Sequence, residues 1–162
     1  MRDASVDLVT TAQALHWLDA AAFFAEARRV LRPAGVIAVW AYGSPSLDEG
    51  AVDGILRHYM REIVGPYWPP ERAILDAGYA GIVFPFAERR APSFTLEARQ
   101  TLPELIGYVR TWSATTRYIK ATGVDPVVAF EEALAPVWGA RDEPHAIRWP
   151  LTLKLGTMAA AE

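Results

Sequence analysis

The sequence predicts an α/β fold with parallel strands, inserted helices and an antiparallel strand pair towards the C-terminus. Three observations carry this. Within residues 5–43 a short apolar strand, an apolar loop, a capped helix and a second apolar strand follow one another. That succession is the unit from which parallel sheets are built. The run 36–41 is almost entirely apolar, as a central parallel strand covered on both faces requires. Two later stretches, 94–98 and 151–155, alternate apolar and polar residues with period two.

Element by element, Val6-Asp7-Leu8-Val9-Thr10-Thr11 reads as a short buried strand and Ala12 to Leu18 as an apolar-rich loop. Asp19 is placed to cap a helix from Ala20 to Leu31, because its carboxylate can accept free N–H groups of the first turn. Phe23, Phe24, Ala27, Val30 and Leu31 form the apolar stripe of that helix. Arg28, Arg29 and Arg32 gather at its end, where the macrodipole favours cations. Pro33-Ala34-Gly35 stops the helix, and the strand Val36 to Ala41 ends in the turn residues Tyr42-Gly43-Ser44-Pro45. A helix is expected over Glu49 to Ile63, an aromatic and proline-rich break over Pro66 to Pro70, and a short helix over Glu71 to Ala77. Tyr79 to Pro92 reads as irregular, with Arg89-Arg90 facing solvent.

The strand Phe94 to Ala98 comes next. Thr101 and Glu104 fit a capping box opening one helix, in which Leu105, Val109, Trp112, Thr116 and Ile119 recur at helical spacing. Asp125 as cap and Pro126 at the first helical position start another, with a stripe of Val127, Phe130, Leu134 and Val137. Leu151, Leu153 and Leu155 alternate with Thr152 and Lys154. They read as a strand with one wet face, paired antiparallel with the strand at Phe94 to Gln100.

Bulk properties narrow the function. A chain of 162 residues, 52% hydrophobic and 22% charged, is long and apolar enough for one domain with a sizeable core. A net charge of −3 argues against a nucleic-acid partner. The chain has no cysteine, which excludes disulfides, thiolate zinc sites and a cysteine nucleophile. No basic-then-apolar opening suggests secretion, and the apolar runs are far too short to span a bilayer. The expectation is a cytoplasmic protein with no membrane partner. Phosphate-binding Gly-x-x-x-x-Gly-Lys and Gly-x-Gly-x-x-Gly motifs and a Gly-x-Ser-x-Gly elbow are absent. His16, His58 and His145 are scattered, so no catalytic metal is expected.

Particular strings go further. Asp7-Leu8-Val9, then Gln13-Ala14-Leu15-His16-Trp17, then Arg29-Val30-Leu31-Arg32-Pro33-Ala34-Gly35-Val36-Ile37-Ala38-Val39-Trp40 closely resemble the middle of class I S-adenosylmethionine-dependent methyltransferases. The subgroup they most resemble is methyltransferase type 11, which includes trans-aconitate methyltransferase. Gly107-Tyr108-Val109-Arg110-Thr111-Trp112-Ser113-Ala114 resembles a second string of that subgroup. Tyr79 with Ile82 and Phe84-Pro85-Phe86, Gly123-x-Asp125-Pro126 and Trp149-Pro150-Leu151 extend the likeness over nearly the whole chain. The resemblance aligns the first strand with the family's fourth. It therefore implies residues 1–162 as a single partial domain, the C-terminal half of a Rossmann-like methyltransferase sheet. Three strand–helix units carrying the glycine-rich cofactor loop, roughly 90 to 100 residues at about 30 each, would precede it.

In open α/β sheets ligands sit beyond the carboxyl ends of the strands, where Thr11 to Trp17 is expected. The resemblance implies that Ala12, Gln13 and Leu15 line S-adenosylmethionine and that His16 and Trp17 close over the cofactor or the reacting centre. By residue pattern alone, an Ala/Leu/Trp stretch after a strand equally packs a helix onto a sheet. Asp7 reads as a strand-end hydrogen-bonding group. Arg110 lies off the apolar stripe and is a candidate for an anionic substrate group or a plain surface arginine. Tyr67-Trp68 is a candidate lid over substrate or an anchor for its own loop.

The expected enzyme transfers a methyl group from S-adenosylmethionine to a small molecule, with proximity and orientation as its main devices. A carboxylate acceptor needs no base. For a hydroxyl acceptor, His16 is the candidate catalytic base, its ordinary pKa being near neutral. The competing reading is a truncated, inactive remnant or an interaction module that self-associates through an exposed sheet edge. On the partial-domain reading the isolated chain binds cofactor poorly or not at all.

Overall fold

A computed structural model describes residues 1–48 and 50–158. In chain order the elements are β1 (Val6–Ala12), α1 (Ala20–Val30), β2 (Leu31–Tyr42), β3 (Ser46–Leu47), α2 (Gly50–His58) and α3 (Arg72–Asp76). They continue with β4 (Ala87–Arg89), β5 (Phe94–Gln100), α4 (Leu102–Arg110), α5 (Ser113–Thr122), α6 (Pro126–Trp138) and β6 (His145–Thr157). The mixed α/β class expected from the sequence is what forms. The chain divides into two compact units. The first holds Met1–Ser44, Glu71–Thr95 and the residues from Pro150 on; the second holds Pro45–Pro70 and Leu96–Trp149.

In the first unit β1 and β2 run parallel, Val9 opposite Ile37 and Thr11 opposite Val39. The C-terminal part of β6 pairs antiparallel with β2, Ala38 opposite Leu155. β4 pairs antiparallel with the same part of β6, Arg89 opposite Leu155. This short strand falls in the segment expected to be irregular. Ala87-Glu88-Arg89 is exposed throughout, so no alternation in its sequence marks it. Asp19 caps α1 by accepting the Ala22 N–H at 3.0 Å. Phe24, Ala27 and Val30 bury its inner face. The helix ends one residue before the expected Leu31, which already extends into β2.

The turn Arg32–Gly35 bulges β2 between its first and second pairings with β1. Ala34 is left-handed there, at φ 60. A Cβ on Gly35 would lie 2.8 Å from the Arg32 carbonyl oxygen, so the close approach needs glycine.

Burial in this unit is one-sided. Ile37, Val39 and Ala41 are buried, while Val36, Ala38 and Trp40 are only half-buried. β1 is mostly exposed, Leu8 to 56%, and among the described strands it pairs with β2 alone. The sequence expectation of two covered strand faces therefore fails. The buried face packs on Leu15, Phe24, Ala27, Leu75 and Tyr79. In β6, Leu151 to Leu155 are uniformly half-buried rather than alternating. Lys154 covers the expected wet face, its ammonium 5.7 Å from the Phe84 ring centroid and 3.6 Å from Glu88. Gly156 admits Phe84 and Phe86, since a Cβ there would lie 2.7 Å from each.

The second unit is helical, with β3 paired to the N-terminal part of β6. β5 also pairs with β6, the pairing expected for these two strands, though its residues are exposed up to Arg99 and do not alternate in burial. α2 starts at Gly50; the expected Glu49 lies outside the described residues. It continues as a π turn over Tyr59–Ile63, closed by Val64 N–H to Tyr59 O at 3.0 Å. The single helix expected after Thr101 is two, because Trp112 adopts extended backbone and buries its indole among Tyr59, Trp68 and Tyr108. At the break the buried Thr115 hydroxyl donates to Val109 O at 2.8 Å. The capping box forms: the Thr101 N–H donates to Glu104 Oε2 at 2.8 Å. In α6 the stripe is Val127, Phe130, Leu134 and Trp138; Val137 is exposed, so the expected last position is off by one. No helix among the described residues is long and apolar enough to cross a membrane.

Candidate functional site

In the first unit the carboxyl ends of β1 and β2 lie at the same end of the parallel pair. Three connections gather there. Gln13 follows β1 in left-handed conformation, φ 50, an uncommon state for a non-glycine residue. Its N–H donates to Trp40 O at 2.9 Å. Its side-chain amide straddles Tyr42: Tyr42 N–H donates to Oε1 at 2.9 Å and Nε2 donates to Tyr42 O at 3.3 Å. One residue thus ties the chain leaving β1 to the last residue of β2.

Leu15–Trp17 then forms a 3-10 turn inside the segment expected as loop. Leu15 and His16 are buried, and the Trp17 side is open, 58% exposed. The two rings of His16 and Trp17 lie 4.9 Å apart.

The third connection comes from α3. This helix ends in a Schellman motif, with Gly78 N–H to Leu75 O at 2.8 Å and Tyr79 N–H to Ile74 O at 3.1 Å. Gly78 is left-handed at φ 58, as the motif requires, and Tyr79 follows at φ 60. For tyrosine that conformation costs on the order of 1–2 kcal/mol, which the surrounding packing must offset. The result is a fully buried Tyr79 whose Oη lies 3.0 Å from His16 Nδ1. Arg72, at the start of the same helix, donates from Nη2 to Ser44 Oγ at 2.7 Å and from Nε to Asp76 Oδ1 at 2.8 Å.

Electrostatics follow from this arrangement. Burial holds the His16 imidazole below its usual pKa, the nearby Arg72 cation lowers it further, and Glu71 opposes both. His16 is therefore uncharged at neutral pH. Burial raises the Tyr79 phenol, and a backbone hydrogen bond from His16 partly offsets that. Among the described residues no group of three His, Asp or Glu side chains is arranged to hold a metal ion.

The structure brings Ala12, Gln13, Leu15, His16 and Trp17 together at one end of the first unit. Tyr67, Trp68 and Arg110 belong to the second. There Tyr67 meets Tyr118 edge-on, ring centroids 5.0 Å apart. Trp68 Nε1 donates to Met60 O at 3.2 Å. The Arg110 guanidinium pairs with Asp125, the cap of α6, and holds its carboxyl below the usual range. Asp7 pairs with Arg32 at 2.7 Å, a strand-end role as expected. Sequence reasoning missed Tyr79 and Arg72 as site residues. The helix-ending Gly78 was the available signal for Tyr79; nothing in the sequence pointed to Arg72.

A model of the methyltransferase domain matches residues 1–39, from before β1 into β2. A solved protein from Anaeromyxobacter dehalogenans, assigned as a type II methyltransferase, is 37% identical with a TM-score of 0.91. That match covers 99% of this chain and 68% of the solved one. A protein of Dictyostelium discoideum assigned as a methyltransferase is 31% identical over 140 residues, 85% of this chain and 53% of the relative. The chain thus spans about half the length of that curated relative. On these grounds, and on the strand–turn–helix–strand unit that carries the site, the chain belongs to the class I S-adenosylmethionine-dependent methyltransferase family.

Proposed function

We propose that the protein transfers a methyl group from S-adenosylmethionine to a small-molecule acceptor, and that the segment Ala12–Trp17 faces the methionine end of the cofactor. The observation that carries this is the position of the Gln13 latch and the Leu15–Trp17 turn at the carboxyl ends of parallel strands, where α/β sheets take their ligands. The residues present suit the group. An open indole at Trp17 favours a cation over its face, and an uncharged His16 does not repel one. When bound, the cofactor supplies an electrophilic methyl group on a cationic sulfur. The chain's own task is to fix geometry. Gln13 holds the turn, Leu15 anchors it in the core, and His16 is oriented within it. Much of the rate can come from holding the reactants in line.

We further propose that residues 1–162 act as one part of a methyltransferase domain, with Tyr67, Trp68 and Arg110 on the acceptor side. A second reading, self-association through β1, is favoured by its exposed Leu8 and its single strand partner among the described residues. Sedimentation equilibrium tests it: a monomer at all concentrations excludes it.

The test of the main reading compares two substitutions in the protein's turnover of S-adenosylmethionine. His16→Ala is expected to lower turnover about a hundredfold, because the reactants are then held less well in line. Arg29→Ala removes exposed contacts to Asp3, Glu26 and the Met1 carbonyl and leaves turnover unchanged. Equal turnover for both variants would remove His16 from the site.

A further inference from the structure

Tyr79 is the residue in the first unit whose chemistry the methyltransferase reading does not use. It is fully buried, it sits 63 positions from His16 in sequence, and it is delivered by two successive left-handed residues. A buried hydroxyl hydrogen requires an acceptor. Among the described residues, the side-chain atom within hydrogen-bonding distance of Oη is His16 Nδ1, at 3.0 Å. The two rings are nearly parallel, 25° between planes with centroids 6.1 Å apart, so the phenol fixes both the position and the tilt of the imidazole.

We propose that Tyr79 is a positioning residue for His16. Its hydroxyl donates to Nδ1, which makes that nitrogen the acceptor and leaves the single proton of the neutral ring on Nε2. His16 then meets its ligand through Nε2 as a hydrogen-bond donor and not as a base. The consequence for the reaction rests on the methyl-transfer reading. His16 takes no proton from the acceptor, so the acceptor atom must arrive with its lone pair already free. The new bond from that atom to the methyl carbon forms as the carbon–sulfur bond breaks. The electron pair of the broken bond stays on sulfur, and no proton passes to the imidazole. This reverses the role of base that residue pattern offered for His16 with a hydroxyl acceptor.

The tautomer is directly measurable by long-range proton–nitrogen correlation on the ¹⁵N-labelled chain near neutral pH, with His16→Gln to assign the signal. The expected spectrum shows Nδ1 as an unprotonated nitrogen and Nε2 as a protonated one. Tyr79→Phe keeps the ring and removes the hydroxyl; it is expected to lose the single-tautomer signal while the circular dichroism stays that of the folded chain. A protonated Nδ1 in the unmodified protein overturns the proposal whether or not the variant folds. An unchanged tautomer in a folded Tyr79→Phe overturns it too. Neither arm uses cofactor. A wrong tautomer therefore removes the role of Tyr79 and leaves methyl transfer standing, whereas the right tautomer in a protein without turnover removes methyl transfer alone.

Discussion

Gln13 and Tyr42 lie 29 residues apart, yet both polar groups of one side-chain amide engage one residue's backbone. The Tyr42 N–H donates to Gln13 Oε1 at 2.9 Å, and Gln13 Nε2 donates back to Tyr42 O at 3.3 Å. The bridge closes the open ends of two neighbouring strands and fixes where the His16 turn begins.

Removing the amide should loosen that turn. Gln13→Ala keeps the left-handed backbone demand and loses both side-chain bonds, so it is expected to destabilise the chain by about 1–2 kcal/mol. Gln13→Glu keeps the acceptor for Tyr42 N–H but sets a carboxylate against Tyr42 O, and should fall no closer to the unmodified chain than Gln13→Ala. Urea unfolding of the three proteins gives the order directly.

Stability should also depend on pH through His16. Its folded pKa lies below the ordinary value of 6.5, by burial first and then by Arg72. The unfolded chain therefore binds this proton more readily than the folded one. The contribution is fully present above about 6.5 and is lost as pH falls from there through the folded pKa. Carboxylates held low by partners, such as Asp125 by Arg110, lose their share only at more acid pH. Thermal midpoints across the mildly acid range should decline for the unmodified chain and stay flatter for His16→Gln.

The second unit offers a test of donor direction. Thr115 Oγ1 donates to Val109 O at 2.8 Å, so at 2.9 Å the Tyr59 hydroxyl must be the donor to Thr115. Tyr59→Phe removes a donor and leaves the Thr115–Val109 bond intact. Thr115→Val strands the Tyr59 hydroxyl in the core, while Val109 O keeps the Trp112 N–H at 3.2 Å. The second should cost about 1–3 kcal/mol more than a simple lost bond, so chemical denaturation is expected to rank Thr115→Val well below Tyr59→Phe.

What the sequence made legible were features settled within a few residues. The Asp19 cap, the Thr101–Glu104 box, the β2 run and the Asp125-Pro126 start all form where expected. The first string of family resemblance also placed the His16 turn at the strand end where it lies. The misreadings share a different cause. Leu105, Val109 and Trp112 keep helical spacing across a break that tertiary packing of Trp112 imposes. β4 exists because β6 supplies its hydrogen bonds, not because its own exposed residues alternate. Tyr79 joins the site through a Schellman turn and a contact across 63 residues, which no local pattern encodes.

The central claim is that the turn after β1 faces the cofactor, and the most direct test is a titration of the chain with S-adenosylhomocysteine, followed by backbone amide and His16 imidazole resonances. Ligand up to about millimolar concentration detects even weak association. The predicted result is a set of shifts centred on Ala12–Trp17 and Tyr79, with the amides around Arg29 unmoved. No shift in that turn at the highest ligand concentration, or shifts centred on another segment, would contradict the account.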